Sequence, residues 1–161
     1  MKLYPDNLEG RNMAAKEILV SRIIQAAPEK VYAILADYHN GHPLILPKPY
    51  FVALEVEEGG YGAGTVIQFQ MKLMGRLQTF RAEITEPDPG RVLVETDLDT
   101  GTTTTFTVEE HAQAQASRVT IRTVTQVRDG LFGTVQGWLT MRLLQPIYRK
   151  ELDQLASVTE K

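Results

Sequence analysis

The apolar residues of this chain repeat with a period of two over most of its length. The clearest example is the segment 67–73, in which Ile67, Phe69 and Met71 alternate with polar residues. Alternation of this kind predicts a β-strand with one buried face. Consecutive strands joined by short turns indicate antiparallel pairing. The same pattern predicts strands at 18–24, 51–56, 67–73, 80–85, 91–98, 102–109 and 119–127.

A helical period replaces the period of two directly after the first strand. Pro28 suits the first position of a helix, where its missing N–H costs nothing. The Asn-Gly pair at 40–41 ends this helix. Three prolines between residues 42 and 49 then allow only a turn or one short helical segment. The apolar face of the helix consists of Val31, Ile34, Leu35 and Tyr38.

A second helical period predicts one long amphipathic helix at the end of the chain, from about residue 129 to Val158. Such a helix must bury its apolar face, and the concave face of the preceding sheet is the partner at hand. A sheet curled around a helix encloses a cavity, and cavities bind small molecules. Pro146 should kink or split the helix, so we expect residues 131–145 to roof the cavity. The apolar positions are Leu131, Val135, Trp138, Leu139, Leu143 and Ile147.

Composition fits one domain that buries a sizeable core. The chain has 161 residues and a formal net charge of −3, so it lacks the basic footprint of a nucleic-acid-binding protein. The absence of cysteine excludes disulfides, thiolate catalysis and thiolate metal sites. The first ten residues have no apolar signal region, and no run approaches the roughly 18 apolar residues of a membrane span. We therefore expect a cytoplasmic protein without stable membrane insertion.

Four local motifs resemble those of one known superfamily. They are the strand-to-helix entry at 26–32, the glycine turn at 62–65, the Pro-Asp-Pro-Gly turn within 86–92, and the start of the closing helix after 130–133. Together with the order of the elements, they resemble the START-like superfamily, also called SRPBCC, over roughly residues 17–156. This superfamily includes aromatic polyketide cyclase/dehydrases, pollen-allergen-type proteins and coenzyme Q carriers.

The resemblance implies an α+β helix-grip fold. In this fold a curved antiparallel β-sheet, here of six or seven strands, wraps around a long C-terminal helix and a hydrophobic cavity. Two short helices follow the first strand. We expect an irregular N-terminal arm over residues 1–16 and a single START-like domain over 17–158. The motifs are turn and packing features, and the superfamily has no invariant catalytic set, so the resemblance assigns no catalytic role.

Few residue patterns point to a cofactor or a metal. The glycine run at 60–64 has the wrong spacing for a dinucleotide-binding loop and precedes a strand, so we expect a tight turn and no cofactor. His39 and His42 are three residues apart near a helix end, a spacing that lets both reach one metal ion, with Asp37 as a third ligand. No HExxH-like context supports this, and we expect no metal. His111 lies in a polar loop and should be exposed.

The weak candidates for a catalytic role are His42, Tyr38 and Arg142. A histidine or tyrosine in a cavity wall acts as an acid, a base or a hydrogen-bond donor. Arg142 lies on the closing helix, where a cation would suit a carboxylate or an enolate, although a surface-paired arginine is the commoner situation. Thr104 and Thr123 would give an apolar cavity a few polar anchors.

These patterns predict that the protein binds a small hydrophobic or aromatic ligand in an internal cavity, as a carrier or accessory binder. A lipid, a polyketide and an isoprenoid-like molecule all fit this description. Two alternatives stay open: a polyketide cyclase/dehydrase-type enzyme acting in the same cavity, and a protein-interaction module with a filled core. The protein is expected to be a monomer or a homodimer. The expected ligand-binding residues are Ile67, Phe69, Met71, Phe80, Ile84, Val94, Thr104, Phe106, Ile121, Thr123, Val135, Trp138 and Leu139.

Overall fold

The computed structural model describes residues 13–112, 115–128 and 131–161, without the side chains of 13–14, 127–128 and 131–140. Strands predominate in the first two thirds of the described chain, and one long helix ends it. In chain order the elements are β1 (Met13–Ile24), α1 (Pro28–Ala36), α2 (His42–Ile45), β2 (Phe51–Glu58), β3 (Val66–Leu73), β4 (Arg76–Asp88), β5 (Val92–Asp97), β6 (Thr103–Glu110), β7 (Ser117–Arg128) and α3 (Leu131–Thr159).

The described strands form a seven-stranded antiparallel sheet with the order β1-β7-β6-β5-β4-β3-β2. Each strand from β2 to β6 pairs with the next one along the chain, as short turns require. The first strand instead pairs with the last, with Val20 opposite Ile121. Helix α3 packs across β1 and β7 and also contacts α1 and α2. The α+β helix-grip fold with two short helices after the first strand is therefore confirmed.

Two boundaries differ from the sequence-based expectation. Strand β1 begins at Met13 rather than at residue 17 or 18, because residues 13–16 continue the pairing with the end of β7. Helix α3 continues through Pro146 and does not split. A proline inside a helix removes one backbone hydrogen bond. The burial of Ile147, Leu152 and Leu155 beyond the proline stabilises the last turns and offsets that loss.

The hydrophobic core fills one half of the concave face of the sheet. The C-terminal half of α3 packs there with α1 against β1, β6 and β7. The buried residues of this core, which also come from β3, β4 and β5, are at most 8% exposed. Met141, Leu143 and Leu144, which precede Tyr148 on α3, line a space over the other half that the core does not fill. The central core residues include Ile24, Val31, Leu35, Leu93, Val119, Ile121, Leu152 and Leu155.

Among the described residues, no helix combines the length and the apolarity that crossing a bilayer requires.

The packing of α3 yields a first prediction. Leu155 is fully buried, whereas Leu44 on α2 is 58% exposed. Truncating the buried leucine removes apolar contacts and leaves a cavity, so we expect L155A to lower the free energy of unfolding by about 2–5 kcal/mol. The matched variant L44A should change it by less than about 1 kcal/mol. Urea unfolding followed by circular dichroism measures both values. Equal losses in the two variants would contradict the proposed core.

Candidate functional site

A cavity of about 280 Å³ lies between α3 and the concave face of the sheet. Most of its wall is apolar and comes from β2, β3, β4 and α3. Phe69 and Phe80 form a stacked pair in this wall, with ring centroids 5.2 Å apart. The apolar lining consists of Leu46, Phe51, Leu54, Ile67, Phe69, Met71, Leu73, Met74, Phe80, Phe106, Met141, Leu143 and Leu144.

Polar side chains line the rest of the wall. They come from α2, β4, β5, β6, β7, α3 and the turn between β5 and β6, and three of them carry carboxyl groups. The polar lining consists of His42, Gln78, Glu95, Asp97, Thr100, Thr102, Thr104, Thr123, Thr125, Tyr148 and Glu151.

A tight turn after α1 positions the first two polar groups. The Asp37 carboxylate accepts hydrogen bonds from the backbone N–H groups of His39 and Asn40, at 3.1 and 3.0 Å. The Asp37 carbonyl accepts from the N–H groups of Gly41 and His42. A Cβ at Gly41 would approach the carbonyl oxygen of Ile34 to 2.6 Å, so the turn needs a glycine there.

This turn brings the side chains of Tyr38 and His42 together. Their rings stack with centroids 4.5 Å apart, and Phe106 meets the imidazole edge-on at 5.6 Å. The His42 Nδ1 lies 2.8 Å from the backbone carbonyl oxygen of Leu35. Because a carbonyl only accepts, Nδ1 carries a hydrogen. The other ring nitrogen, Nε2, lies 3.5 Å from Oε1 of the Glu95 carboxylate.

Glu95 also accepts a hydrogen bond from the hydroxyl group of Tyr38. The tyrosine donates to Glu95 Oε1 at 2.7 Å. Burial, and after it the negative charge of Glu95, raise the pKa of Tyr38 well above its ordinary value. The tyrosine thus stays protonated and serves as a fixed donor. Glu95 is held between Tyr38 and His42 in a pocket where its side chain is only 13% exposed.

Glu151 faces this group from α3. The residue is 2% exposed and lines the cavity. Burial, and secondly the charge of Glu95, raise the pKa of Glu151 well above its ordinary value. No hydrogen bond joins its carboxyl group to another described residue. A buried carboxyl without a partner favours its neutral, protonated form, which can donate a hydrogen bond into the cavity.

A chain of hydroxyl groups completes the polar wall. Tyr148, three residues before Glu151 on α3, lies with its hydroxyl 2.8 Å from Thr123 Oγ1. Thr123 Oγ1 in turn lies 2.9 Å from Thr104 Oγ1. Burial raises the pKa of Tyr148 to about 12. These hydroxyl groups satisfy one another, as buried polar groups must, and present a neutral polar surface beside the two glutamates.

The structure places seven of the expected ligand-binding residues on the cavity wall, and the side chains of three others lie outside the described residues. Ile84 and Ile121 are fully buried in the core and do not line the cavity. Val94 alternates with the cavity-lining Glu95 and Asp97 and so lies on the other face of β5. The seven are Ile67, Phe69, Met71, Phe80, Thr104, Phe106 and Thr123, and the three outside the described side chains are Val135, Trp138 and Leu139.

The three residues considered for a catalytic role do not lie together in the structure. His42 and Tyr38 are buried beside each other at the polar end of the cavity. Arg142 is exposed and does not line it. His39 lies outside the cavity, against the glycine turn, with Nε2 3.4 Å from the Gly59 carbonyl. The described residues contain no group of side chains suited to hold a metal ion.

Sequence patterns gave no signal for the two glutamates. Glu95 lies in a strand whose alternating residues Val92 and Val94 are apolar, so the pattern favours the valines as the inward face. Glu151 lies beyond Pro146, in a charged stretch with Arg149 and Lys150 that resembles a solvated helix face. Only the three-dimensional packing of α3 onto the sheet brings these carboxyl groups together.

Comparisons with known proteins agree with this architecture. A family model described as polyketide cyclase / dehydrase and lipid transport matches residues 16–160. The solution structure of the KanY protein is similar, with a TM-score of 0.76, 23% identity, and coverage of 92% of this chain and 100% of that chain. A search of curated proteins found no match.

Two further solved structures share the fold. The Zhui aromatase/cyclase from Streptomyces sp. R1128 has a TM-score of 0.74 at 15% identity, with 91% of this chain and 94% of that chain covered. A START superfamily protein from Mycobacterium smegmatis has a TM-score of 0.67 at 11% identity, with 89% of this chain and 97% of that chain covered. At these identities the likeness concerns the fold alone.

The buried acid makes stability depend on pH. Because the folded protein holds the Glu151 proton more tightly than the unfolded chain does, stability falls as the pH rises from the ordinary value of 4.5 through the raised folded-state pKa. Glu95, Tyr38 and Tyr148 are the titratable neighbours coupled to it. E151Q cannot ionise. We therefore expect its Tm to exceed that of the wild type by a margin that grows with pH.

Thermal unfolding in buffers of stepped pH measures that margin. E55Q, which neutralises an exposed carboxylate on β2, serves as the matched control and should show no such growth. A margin for E151Q that stays constant with pH would contradict a raised pKa at this position.

Proposed function

The chain belongs to the polyketide cyclase / dehydrase and lipid transport family, and we propose that it binds one small, mainly hydrophobic ligand in the cavity, as a carrier or accessory binder. The observation that carries this proposal is the cavity of about 280 Å³ with apolar walls and one polar end. Ligand pockets typically span about 300–1,000 Å³, so this volume favours a small ligand. A filled core, which a pure interaction module would have, is disfavoured.

The lining supports a defined orientation of the ligand. Its apolar body would lie against Phe69, Phe80 and Met71, where stacked rings favour an aromatic or polyunsaturated molecule. Its polar group would lie near Glu95 and Glu151. In this arrangement a few convergent polar groups fix the orientation, and the apolar wall supplies most of the binding free energy.

A blocking variant tests ligand binding in this cavity. Leu54 and Val52 lie on the same strand, but Leu54 lines the cavity and Val52 is 52% exposed. We expect 2-naphthol to raise the Tm of the wild type and of V52W by mass action. L54W fills the cavity and should abolish the shift. Far-ultraviolet circular dichroism checks that both variants fold. An equal shift in folded L54W would contradict binding in the cavity.

One observation favours a second function, a cyclase/dehydrase-type enzyme in the same cavity. A buried carboxyl group held neutral, beside a histidine and a second carboxylate, is an arrangement typical of acid–base catalysis. Glu151 would donate a proton to a ketone oxygen. The His42–Glu95 pair would accept a proton from the carbon next to that ketone, which gives an enol. The enol carbon would then attack a second ketone of the same chain. The enol oxygen returns its proton to Glu151, the His42–Glu95 pair gives its proton to the oxygen of the second ketone, and the resulting alcohol leaves as water. Arg142 has no part in this scheme because it is exposed.

The enzyme proposal predicts a specific loss of rate. With a small aryl poly-β-ketone as substrate, E151Q should lower the rate of cyclised product formation by about 10²–10⁴-fold, since a positioned general acid contributes that much. E55Q should retain the wild-type rate. Absorbance of the conjugated product follows the reaction. Turnover by E151Q at the wild-type rate, or no turnover by the wild type, would contradict the scheme and leave binding as the function.

A further inference from the structure

Among the described residues, the acidic and basic side chains that line the cavity are all acidic, apart from His42. Glu95, Asp97 and Glu151 contribute three carboxyl groups, and none of the described lining residues is a lysine or an arginine. Residues 131–140, whose side chains are not described, contain no charged residue in the sequence. His42 is the one lining residue among those described that can carry a positive charge, and its ring is already engaged by Leu35 and Glu95.

These three carboxyl groups differ in the number of hydrogen bonds that they accept from the protein. Asp97 accepts hydrogen bonds from the N–H groups of Asp99 and Thr100 and from the Thr100 hydroxyl, so it stabilises the turn after β5. Glu95 Oε1 accepts from Tyr38, and no hydrogen bond to the described residues involves its Oε2. Glu151, 2% exposed, has no hydrogen bond to any described residue. The carboxyl oxygens that could still accept a hydrogen bond therefore belong to Glu95 and Glu151.

We propose that the cavity takes a ligand whose polar end is a protonated amine, and that Glu95 and Glu151 bind the ammonium group between them. This inference deepens the proposed ligand-binding function and rests on it. An ammonium group has three donor hydrogens and no acceptor, which matches the acceptor positions that remain open on Glu95 and Glu151. The ligand class is an aromatic or alicyclic amine small enough for the cavity.

The energetics distinguish an amine from other polar ends. Two carboxylates facing one another in a desolvated site repel each other, and one of them takes up a proton when no cation is present. A cation between them removes the repulsion and compensates the desolvation of both. A neutral hydroxyl forms hydrogen bonds but does not relieve the repulsion. A carboxylate ligand, such as a fatty acid, would place a further negative charge beside Glu95 and is disfavoured by the same argument.

Binding of the amine should change the protonation state of Glu151. Without ligand Glu151 holds a proton, because burial and the facing charge of Glu95 raise its pKa. Tyr38, Tyr148 and His42 also face this space, and the two tyrosines stay protonated because their pKa values are raised. When the ammonium group binds, Glu151 ionises and its proton passes to the solvent. Amine binding should therefore release about one proton per site at neutral pH.

Three probes with the same aromatic body test the proposal: 2-(2-naphthyl)ethylamine, 2-(2-naphthyl)ethanol and 2-naphthylacetate. Isothermal titration calorimetry with the full chain, in two buffers of different ionisation enthalpy, gives both the affinity and the number of protons released. We expect the amine to bind at least about tenfold more tightly than the alcohol, with release of about one proton, and the carboxylate to bind most weakly.

Variants separate this inference from the proposed function. E151Q should lose the preference for the amine over the alcohol and should release no proton when the amine binds. E55Q should behave as the wild type. Alcohol binding as tight as amine binding, or amine binding without proton release, would overturn the inference and leave cavity binding intact. Failure of all three probes to bind would overturn both the inference and the proposed function.

Discussion

The packing of the C-terminal half of α3 against β1 and β7 is the contact on which the rest of the structure depends. The helix buries Leu152 and Leu155 completely on this side, so its axis is fixed relative to the sheet. The fixed axis also fixes the distance between the sheet and the residues that precede this half of α3, among them Met141 and Leu144. The cavity is the space that this geometry leaves between Met141 or Leu144 and the aromatic residues of β3 and β4. One half of the sheet is thus a core, and the other half is a binding site.

The same packing assigns the polar groups to one end of the cavity. Glu151 and Tyr148 lie one turn apart on α3, near the junction between the filled and the open halves. Glu95 reaches this point from the sheet, and Tyr38 and His42 reach it from the turn between α1 and α2. A carboxyl group at such a junction is desolvated by the core on one side and faces the cavity on the other. Its protonation therefore responds to what the cavity holds.

Periodicity predicts the strands, α1 and the closing helix, because each buries an apolar face that repeats at its own period. For α2 the prolines left both a turn and one short helical segment open. It also predicts the cavity face of β3, where Ile67, Phe69 and Met71 line the site. It fails on β5, where the inward residues Glu95 and Asp97 are charged and the outward Val94 is apolar. Local patterns favour burial of valine. The inward direction of the charged face of β5 can therefore be recognised only once the elements that pack against it are known. Such local conflicts are expected where a protein keeps polar groups for binding or chemistry.

The pairing of β1 with β7 sets the order in which the two halves of the sheet can form. Ser21 and Thr120, hydrogen-bonded across this pair, are 99 residues apart in the chain, so their contact closes a long loop and forms slowly. The strands from β2 to β6 are joined by short turns and need no such closure. We expect the meander that lines the cavity to form while the core is still open. The binding half would thus exist as a nascent sheet before the half that anchors α3 is complete.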